Sequence, residues 1–111
     1  MKNPIRPQQC AEKLHALAAP ERLRIVCFLR GGARNVTEIA ETLGTRPVNV
    51  SHHITVLRQA GIVRGHMSGR FVYYALAPGL LQRDEVKGAV EYFDLGCCRL
   101  EVPRGGDSGT T

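Results

Sequence analysis

The chain has 111 residues, enough for one domain with one modest core, and its 43% hydrophobic and 23% charged content is ordinary for a soluble globular protein. It has no apolar run of the ~18 residues that a membrane span needs, and the opening MKNPIRPQQC lacks the apolar stretch of a secretory signal. The expected location is therefore the cytoplasm, where the four cysteines are read as reduced thiols rather than as a disulfide framework. The net charge is +5, and its distribution is uneven: no Asp or Glu stands between Glu41 and Asp84, while that stretch carries Arg46, Arg58, Arg64, Arg70 and Arg83 together with His52, His53 and His66. An acid-free, arginine-bearing middle is the electrostatic footprint of a nucleic-acid surface. The bland alternative is a solvated basic face without a partner.

Taken in chain order, residues 1–7 with Pro4 and Pro7 read as a flexible N-terminus. Residues 8–17 read as a helix with Leu14 and Leu17 on one side. AAPERLRIVCFLRGG reads as a second helix: Pro20 suits its first turn, Glu21 its positive end, and Gly31-Gly32 its stop. Its apolar face is predicted to hold Leu23, Val26 and Cys27, widened by Ile25, Phe28 and Leu29. NVTEIAETLG carries a third helix, with Asn35 as cap, Glu38 completing a capping box, Val36, Ile39, Ala40 and Leu43 as the buried stripe, and Gly44 as terminator. TRPVNVSHHITVLRQAG gives a fourth, with Thr45 as cap, Pro47 in the first turn and Val50, Ile54 and Leu57 facing the core. Two short helices joined by a tight glycine turn form a helix-turn-helix. IVRGHMSGRFVYYALAP is rich in β-branched and aromatic residues around Ser68-Gly69 and reads as a hairpin, a wing on the helix-turn-helix. After Pro78-Gly79, LLQRDEVKGAVEYFDL is predicted as a last helix, because Val86, Ala89, Val90 and Phe93 recur at helical spacing. Residues 99–111 end in a Gly- and Ser-rich stretch and read as a flexible tail.

These expectations describe a mainly α chain with a small β-hairpin, a winged helix-turn-helix domain over residues 8–98. The segments LAAPERLRIVCFL, VTEIAETLG, VNVSHHITVLRQAGIV and GRFVYYAL together resemble the ArsR/SmtB family of bacterial winged-helix repressors, over roughly residues 10 to 98. The resemblance implies a homodimer that binds double-stranded operator DNA and releases it when a metal or metalloid inducer occupies cysteine or histidine ligands. It also implies dimerisation helices at both ends of the domain, with Val86, Val90 and Phe93 as the expected interface on the last one. On the fourth helix, burial of Val50, Ile54 and Leu57 turns Asn49, Ser51, His52 and Thr55 outward, where Asn pairs with adenine and Ser or His bonds bases or phosphates. Thr45 and Arg46 sit at its positive end, and Arg64 and Arg70 flank the wing tip. His53 partly shares the core face and reads as a half-buried, hydrogen-bonded histidine.

The cysteines carry the remaining signal. Within the family, one ligand location is a Cys-x-Cys on the third helix and another uses Asp and His on the last. Residues 33–44 hold no cysteine and residues 80–95 no histidine. Cys97 and Cys98 resemble the vicinal pair of arsenite-responsive members. Soft thiolates suit thiophilic ions, trivalent arsenic takes three sulfurs, and Cys10 is the first choice for the third. Cys27 is the rival partner, since some members sense oxidants or reactive sulfur with a cysteine in the second helix and one near the end of the last; on its own it reads as a small buried hydrophobe. The functional expectation is a DNA-binding repressor, not an enzyme, with no constitutive cofactor. A different class, a winged-helix protein-interaction module with structural zinc, stays open at this point.

Overall fold

The computed structural model describes residues 6–86 and 90–102, and the elements run α1 (Pro7–Leu17), α2 (Pro20–Phe28), a 3-10 turn (Leu29–Gly31), β1 (Arg34–Asn35), α3 (Val36–Leu43), α4 (Pro47–Gln59), β2 (Val63–Ser68), β3 (Phe71–Leu76), β4 (Leu81–Asp84), β5 (Val90–Asp94) and β6 (Arg99–Val102). Three helices begin on a proline, at Pro7, Pro20 and Pro47, where the missing N–H costs nothing and the fixed φ is already helical. The capping box of α3 is present in both directions: Asn35 Oδ1 accepts from Glu38 N at 2.9 Å, and Glu38 Oε1 accepts from Asn35 N at 3.0 Å. Gly44, at φ 72°, ends α3 in the left-handed conformation that a side chain would disfavour. Arg46, rather than Thr45, is the N-cap of α4.

Ile39, Ala40 and Leu43 of α3 and Val50, Ile54 and Leu57 of α4 are buried, as the periodicity predicts. They meet Ile25, Val26 and Leu29 in one core. Leu14 and Leu23 depart from expectation and are 40% and 41% exposed; Ala16 and Leu17 bury α1, and Ile25 and Val26 bury α2. The wing is confirmed, with β2 and β3 antiparallel from Val63↔Leu76 to Ser68↔Phe71. Its sheet has the order β1-β3-β2, because Arg34 and Asn35 pair with Tyr74 and Tyr73 in a short strand that two residues of sequence do not announce.

Among the described residues, the predicted last helix over 80–95 is absent. A second antiparallel sheet of order β4-β5-β6 stands there, and Arg99–Val102, expected in the flexible tail, form its last strand. The physical reason is that VEYFDL satisfies a period of two better than one of 3.6. Phe93 and Leu95, two apart, are 0% and 4% exposed, and a cross-strand row Leu81↔Phe93↔Leu100 lays its side chains on the core. Val86, by contrast, is 94% exposed beyond β4, and Asp84 Oδ1 accepts from Val86 N at 3.1 Å in a turn that stops the strand. Ala89, the other residue of the predicted stripe, lies outside the described residues, as do residues 1–5 and 103–111 of the two expected flexible ends. The sheet is clamped to the helical body by an ion pair from Arg30 Nη1 to Glu91 Oε1 at 3.0 Å. Among the described residues, no helix is long and apolar enough to cross a membrane.

Candidate DNA interface and thiol cluster

The outward face of α4 is polar and open. Arg46, Asn49, Ser51, His52 and Thr55 are all exposed, and Thr45 is half-buried at the entry to the helix. Asn49 Nδ2 donates to Thr45 Oγ1 at 3.0 Å, which holds the asparagine amide toward the positive end of the helix. Thr55 Oγ1 donates back to Ser51 O at 3.0 Å, so the exposed hydroxyl offers acceptor lone pairs rather than its proton to an outside partner. Val48, which a search for polar contacts passes over, is 61% exposed on the first turn of α4, and a short apolar side chain there suits a thymine methyl group.

Arg64 and Arg70 are exposed on the wing, Arg64 on β2 and Arg70 in the turn between β2 and β3. Thr55, Arg58, Gln59, Val63, Arg64 and Gly65 line a cleft of about 460 Å³ between the end of α4 and the base of the wing. The cleft joins two arginines from different elements, so Arg58 belongs to the same basic surface as Arg64. Its place within the acid-free stretch was the only signal of that in the sequence. His53 is half-buried, as predicted, and accepts from Arg22 Nη1 at 3.4 Å. Burial pushes its pKa below the ordinary histidine value, and the Arg22 charge adds to the depression.

The three expected dimer residues separate in the structure. Phe93 is fully buried within the protomer, Val90 is half-buried opposite Asp84 in β5, and Val86 is exposed beyond the end of β4. They share no helix face, because the helix that would have aligned them is a strand pair.

Cysteines 10, 97 and 98 do converge. Leu95 N–H donates to Cys98 O at 2.9 Å, closing a tight hairpin turn over Gly96 and Cys97, and Asp94 Oδ1 accepts from Gly96 N at 2.9 Å. Gly96 takes φ 91°, which only a residue without Cβ adopts freely. The turn presents both thiols of the pair toward the start of α1. The Sγ atoms of Cys10, Cys97 and Cys98 all lie within 4.8 Å of one another, the first two residues half-buried and the third exposed. Cys10 and Cys97 are joined as a disulfide, Cα to Cα 5.9 Å, and Cys98 Sγ lies 3.9 Å from Cys97 Sγ. The expectation of four free thiols is thereby corrected: the fold brings residues 10 and 97 within bonding distance, which compartment-based reasoning does not foresee. Cys27 is a half-buried free thiol outside this group, and burial pushes its pKa up against the smaller opposing effect of Arg30. A raised pKa suppresses the thiolate that redox and metal chemistry need.

Comparison with known proteins fits this geometry. Residues 19–64, which run from the start of α2 into β2, match the sequence model described as "Bacterial regulatory protein, arsR family". The transcriptional repressor SdpR of Bacillus subtilis is 32% identical over 81 residues, 73% of this chain and 89% of that protein. The transcriptional regulator NmtR of Mycobacterium tuberculosis is 46% identical over 68 residues, 61% of this chain, and the match spans 57% of its length. The homodimeric winged helix-turn-helix DNA-binding domain of Mb0332 from Mycobacterium bovis superposes with a TM-score of 0.62 at 32% identity, covering 64% of this chain and 66% of that one. With its helix-turn-helix, its wing and its likeness to SdpR over most of both chains, the protein belongs to the arsR family of bacterial regulatory proteins.

Proposed function

We propose that the protein is a homodimeric repressor that binds operator DNA through α4 and the wing, and lets go when a thiophilic inducer, arsenite first, binds Cys10, Cys97 and Cys98. The observation that carries the inducer assignment is the convergence of three sulfurs from two ends of the chain within 4.8 Å. A three-sulfur set of that size fits trivalent arsenic or another soft ion, and it lacks the nitrogen or oxygen donors that harder ions prefer. The Cys10–Cys97 disulfide must first take two electrons from a cellular dithiol, since only thiols bind. Each thiol then gives its proton to a hydroxyl of arsenous acid, and three waters leave. Cys10 belongs to α1, which packs on α4, and Lys13 Nζ of α1 donates to Ala60 O at the end of α4 at 3.3 Å. A pull on α1 therefore reaches the DNA-reading helix directly. The inducer acts only insofar as it binds the released state better than the DNA-bound one.

The disulfide itself favours a second reading, an oxidant sensor in which closing Cys10–Cys97 is the signal. It differs from the Cys27-based version expected from sequence, since Cys27 stands outside the group. The structural-zinc interaction module has less support, because the exposed polar face of α4 and the arginine cleft have no role in it.

The deciding experiment follows operator binding by fluorescence anisotropy with reduced protein. Arsenite should release wild type and Cys27→Ser, while Cys97→Ser/Cys98→Ser stays bound and Cys10→Ser responds weakly. Normal release of the double variant would end the arsenite reading. Loss of DNA binding on mild oxidation of wild type, but not of Cys10→Ser, would favour the oxidant sensor.

A further inference from the structure

The tip of the wing is apolar although it faces solvent. Met67 is 64% exposed and Phe71 50%, and Val72 is exposed beside them. Single exposed apolar residues are ordinary on a protein surface, but a cluster of them marks a contact. The register of the hairpin spreads this cluster over both of its faces. Met67 and Val72 are cross-strand partners on one face, Phe71 shares the other with Ser68, and Gly69 and Arg70 form the apex. The tip is also braced. The face of Met67 and Val72 continues inward through Tyr74 to Val63 and Leu76, which join the core. A Cβ built on Gly65 would stand 2.7 Å from Tyr74 Cε1 and 3.2 Å from Val72 Cγ1. The Tyr74 ring thus lies across the Gly65 backbone, in the space that a side chain would fill, and an apolar strip runs from the core to the tip.

Charge selects the partner. No Asp or Glu stands between Glu41 and Asp84, so the wing carries no carboxylate, while Arg64 and Arg70 are exposed on it. At its base the cleft with Arg58 and Arg64 joins the wing to the exposed polar face of α4. An apolar tip flanked only by arginines fits a polyanion that has apolar faces of its own. In duplex DNA those faces are the sugars that wall the minor groove and the planes of the bases.

We propose that the wing tip is a wedge for the minor groove of DNA, in which Phe71 enters between two stacked base pairs and Met67 and Val72 lie against the sugars of one strand. The inference rests on the DNA-binding reading of the proposed function and adds what the bound wing does to the duplex. The minor groove of B-DNA is about 6 Å wide, too narrow for a hairpin with side chains on both faces. The tip therefore enters only by opening the groove and unstacking a step, which bends the duplex toward the major groove. Unstacking is easiest at pyrimidine–purine steps such as TA and CA. Phe71 thus selects sequence without bonding to any base edge, at a position outside the bases that α4 reads.

The test uses the full chain, reduced, on a duplex that wild type selects from random-sequence DNA. Anisotropy reads affinity, energy transfer between dyes at the duplex ends reads bending, and permanganate oxidation reads unstacked thymines. Wild type should raise the energy transfer and the permanganate reactivity at a step flanking the site. Phe71→Ala should weaken binding about tenfold, lose both signals and keep the salt dependence, because Phe71 meets no phosphate. Phe71→Leu, which keeps an apolar wedge, should retain most of the bend. Arg70→Ala should lower the salt dependence by about one phosphate contact and keep the permanganate signal. Thermal melts check that each variant folds. Wild type that binds without bending or unstacking, or Phe71→Ala that bends the duplex as wild type does, would overturn the wedge and leave the regulator reading standing. Wild type that selects no duplex would overturn both. Weaker self-association of Met67→Ser/Phe71→Ser in sedimentation would assign the tip to a protein contact instead.

Discussion

Arg22 joins three elements through one side chain, and its contact with His53 is the one that reaches α4, the second helix of the helix-turn-helix. Its Nε and Nη2 donate to Ala16 O and His15 O at the end of α1, at 2.6 and 3.4 Å, while Nη1 donates to His53 Nδ1 on α4. An arginine only donates, so Nδ1 holds the lone pair and the neutral ring carries its proton on Nε2. Burial and then Arg22 hold the pKa below the ordinary value, with His52 adding to the depression and Glu21 opposing it. The folded state therefore binds fewer protons at this site than the unfolded state, whose value is about 6.5. The contribution of His53 should be fully present above that pH and be lost as pH falls through it toward the lower folded value. Thermal melts between pH 8 and pH 5 should show a decline that His53→Gln reduces. An unchanged pH profile in the variant would mean that His53 does not titrate across the transition.

Phe93 should behave as a core residue and Val86 as a surface one. Truncating a fully buried phenylalanine removes the centre of the Leu81–Phe93–Leu100 row, and Phe93→Ala should cost ~3–5 kcal/mol in denaturant unfolding. Val86 is 94% exposed, and Val86→Asp should lie within ~0.5 kcal/mol of wild type. Comparable losses from both would restore the helix, and with it the shared apolar stripe, that the sheet replaces.

The contrast between those two residues shows where the sequence was legible. From α2 to β3 each local signal agreed with the others: prolines at helix starts, a capping box, glycine at a stop, and period-3.6 burial in α3 and α4. The outward face of α4 followed from the inward one. Beyond Pro78 the signals conflicted. Val86, Ala89, Val90 and Phe93 fit a helical stripe, and Phe93 with Leu95 fits a strand; the choice is made by long-range partners, Leu100 on β6 and Arg30 beside the helical body, which no local window contains. The thiol cluster was half legible. The adjacency of Cys97 and Cys98 marked the pair, but a hairpin turn, not a helix end, brings it to Cys10. Arg58 and Val48 were missed because one was counted only as charge and the other was apolar.

DNA binding should separate the two kinds of contact. Arg58→Ala and Arg64→Ala, which flank the cleft between α4 and the wing, should each weaken binding nearly equally for all sequences and lower the salt dependence by about one phosphate contact. Asn49→Ala and Val48→Ala should instead relax sequence choice, with ~1–3 kcal/mol of discrimination lost for a bidentate asparagine contact. Binding isotherms at several salt concentrations, on the best operator and on scrambled DNA, measure both. A steep loss of base discrimination in Arg64→Ala would mean that the wing reads bases rather than phosphates.

The cysteines should differ in reactivity in a fixed order. With Cys10 and Cys97 joined, the free thiols are Cys98, which is exposed, and Cys27, which is half-buried with its pKa raised. Alkylation proceeds through the thiolate, so at neutral pH Cys98 should be labelled first and Cys27 slowly, with the Cys27 rate still climbing at pH values where ordinary thiols have levelled off. Reduction should expose Cys10 and Cys97 to the reagent and also loosen the fold. A cross-link over a sequence separation of 87 removes denatured-state entropy worth ~4.6 kcal/mol in the chain-closure account, so the reduced protein should unfold at lower denaturant than the oxidised one. Arsenite added to the reduced protein should slow labelling of Cys10, Cys97 and Cys98 together and leave Cys27 at its own slow rate. Mass spectrometry of the labelled peptides resolves all four positions. Protection of Cys27 by arsenite, or protection of the vicinal pair without Cys10, would break the three-sulfur site and move the search for the inducer ligands elsewhere in the chain.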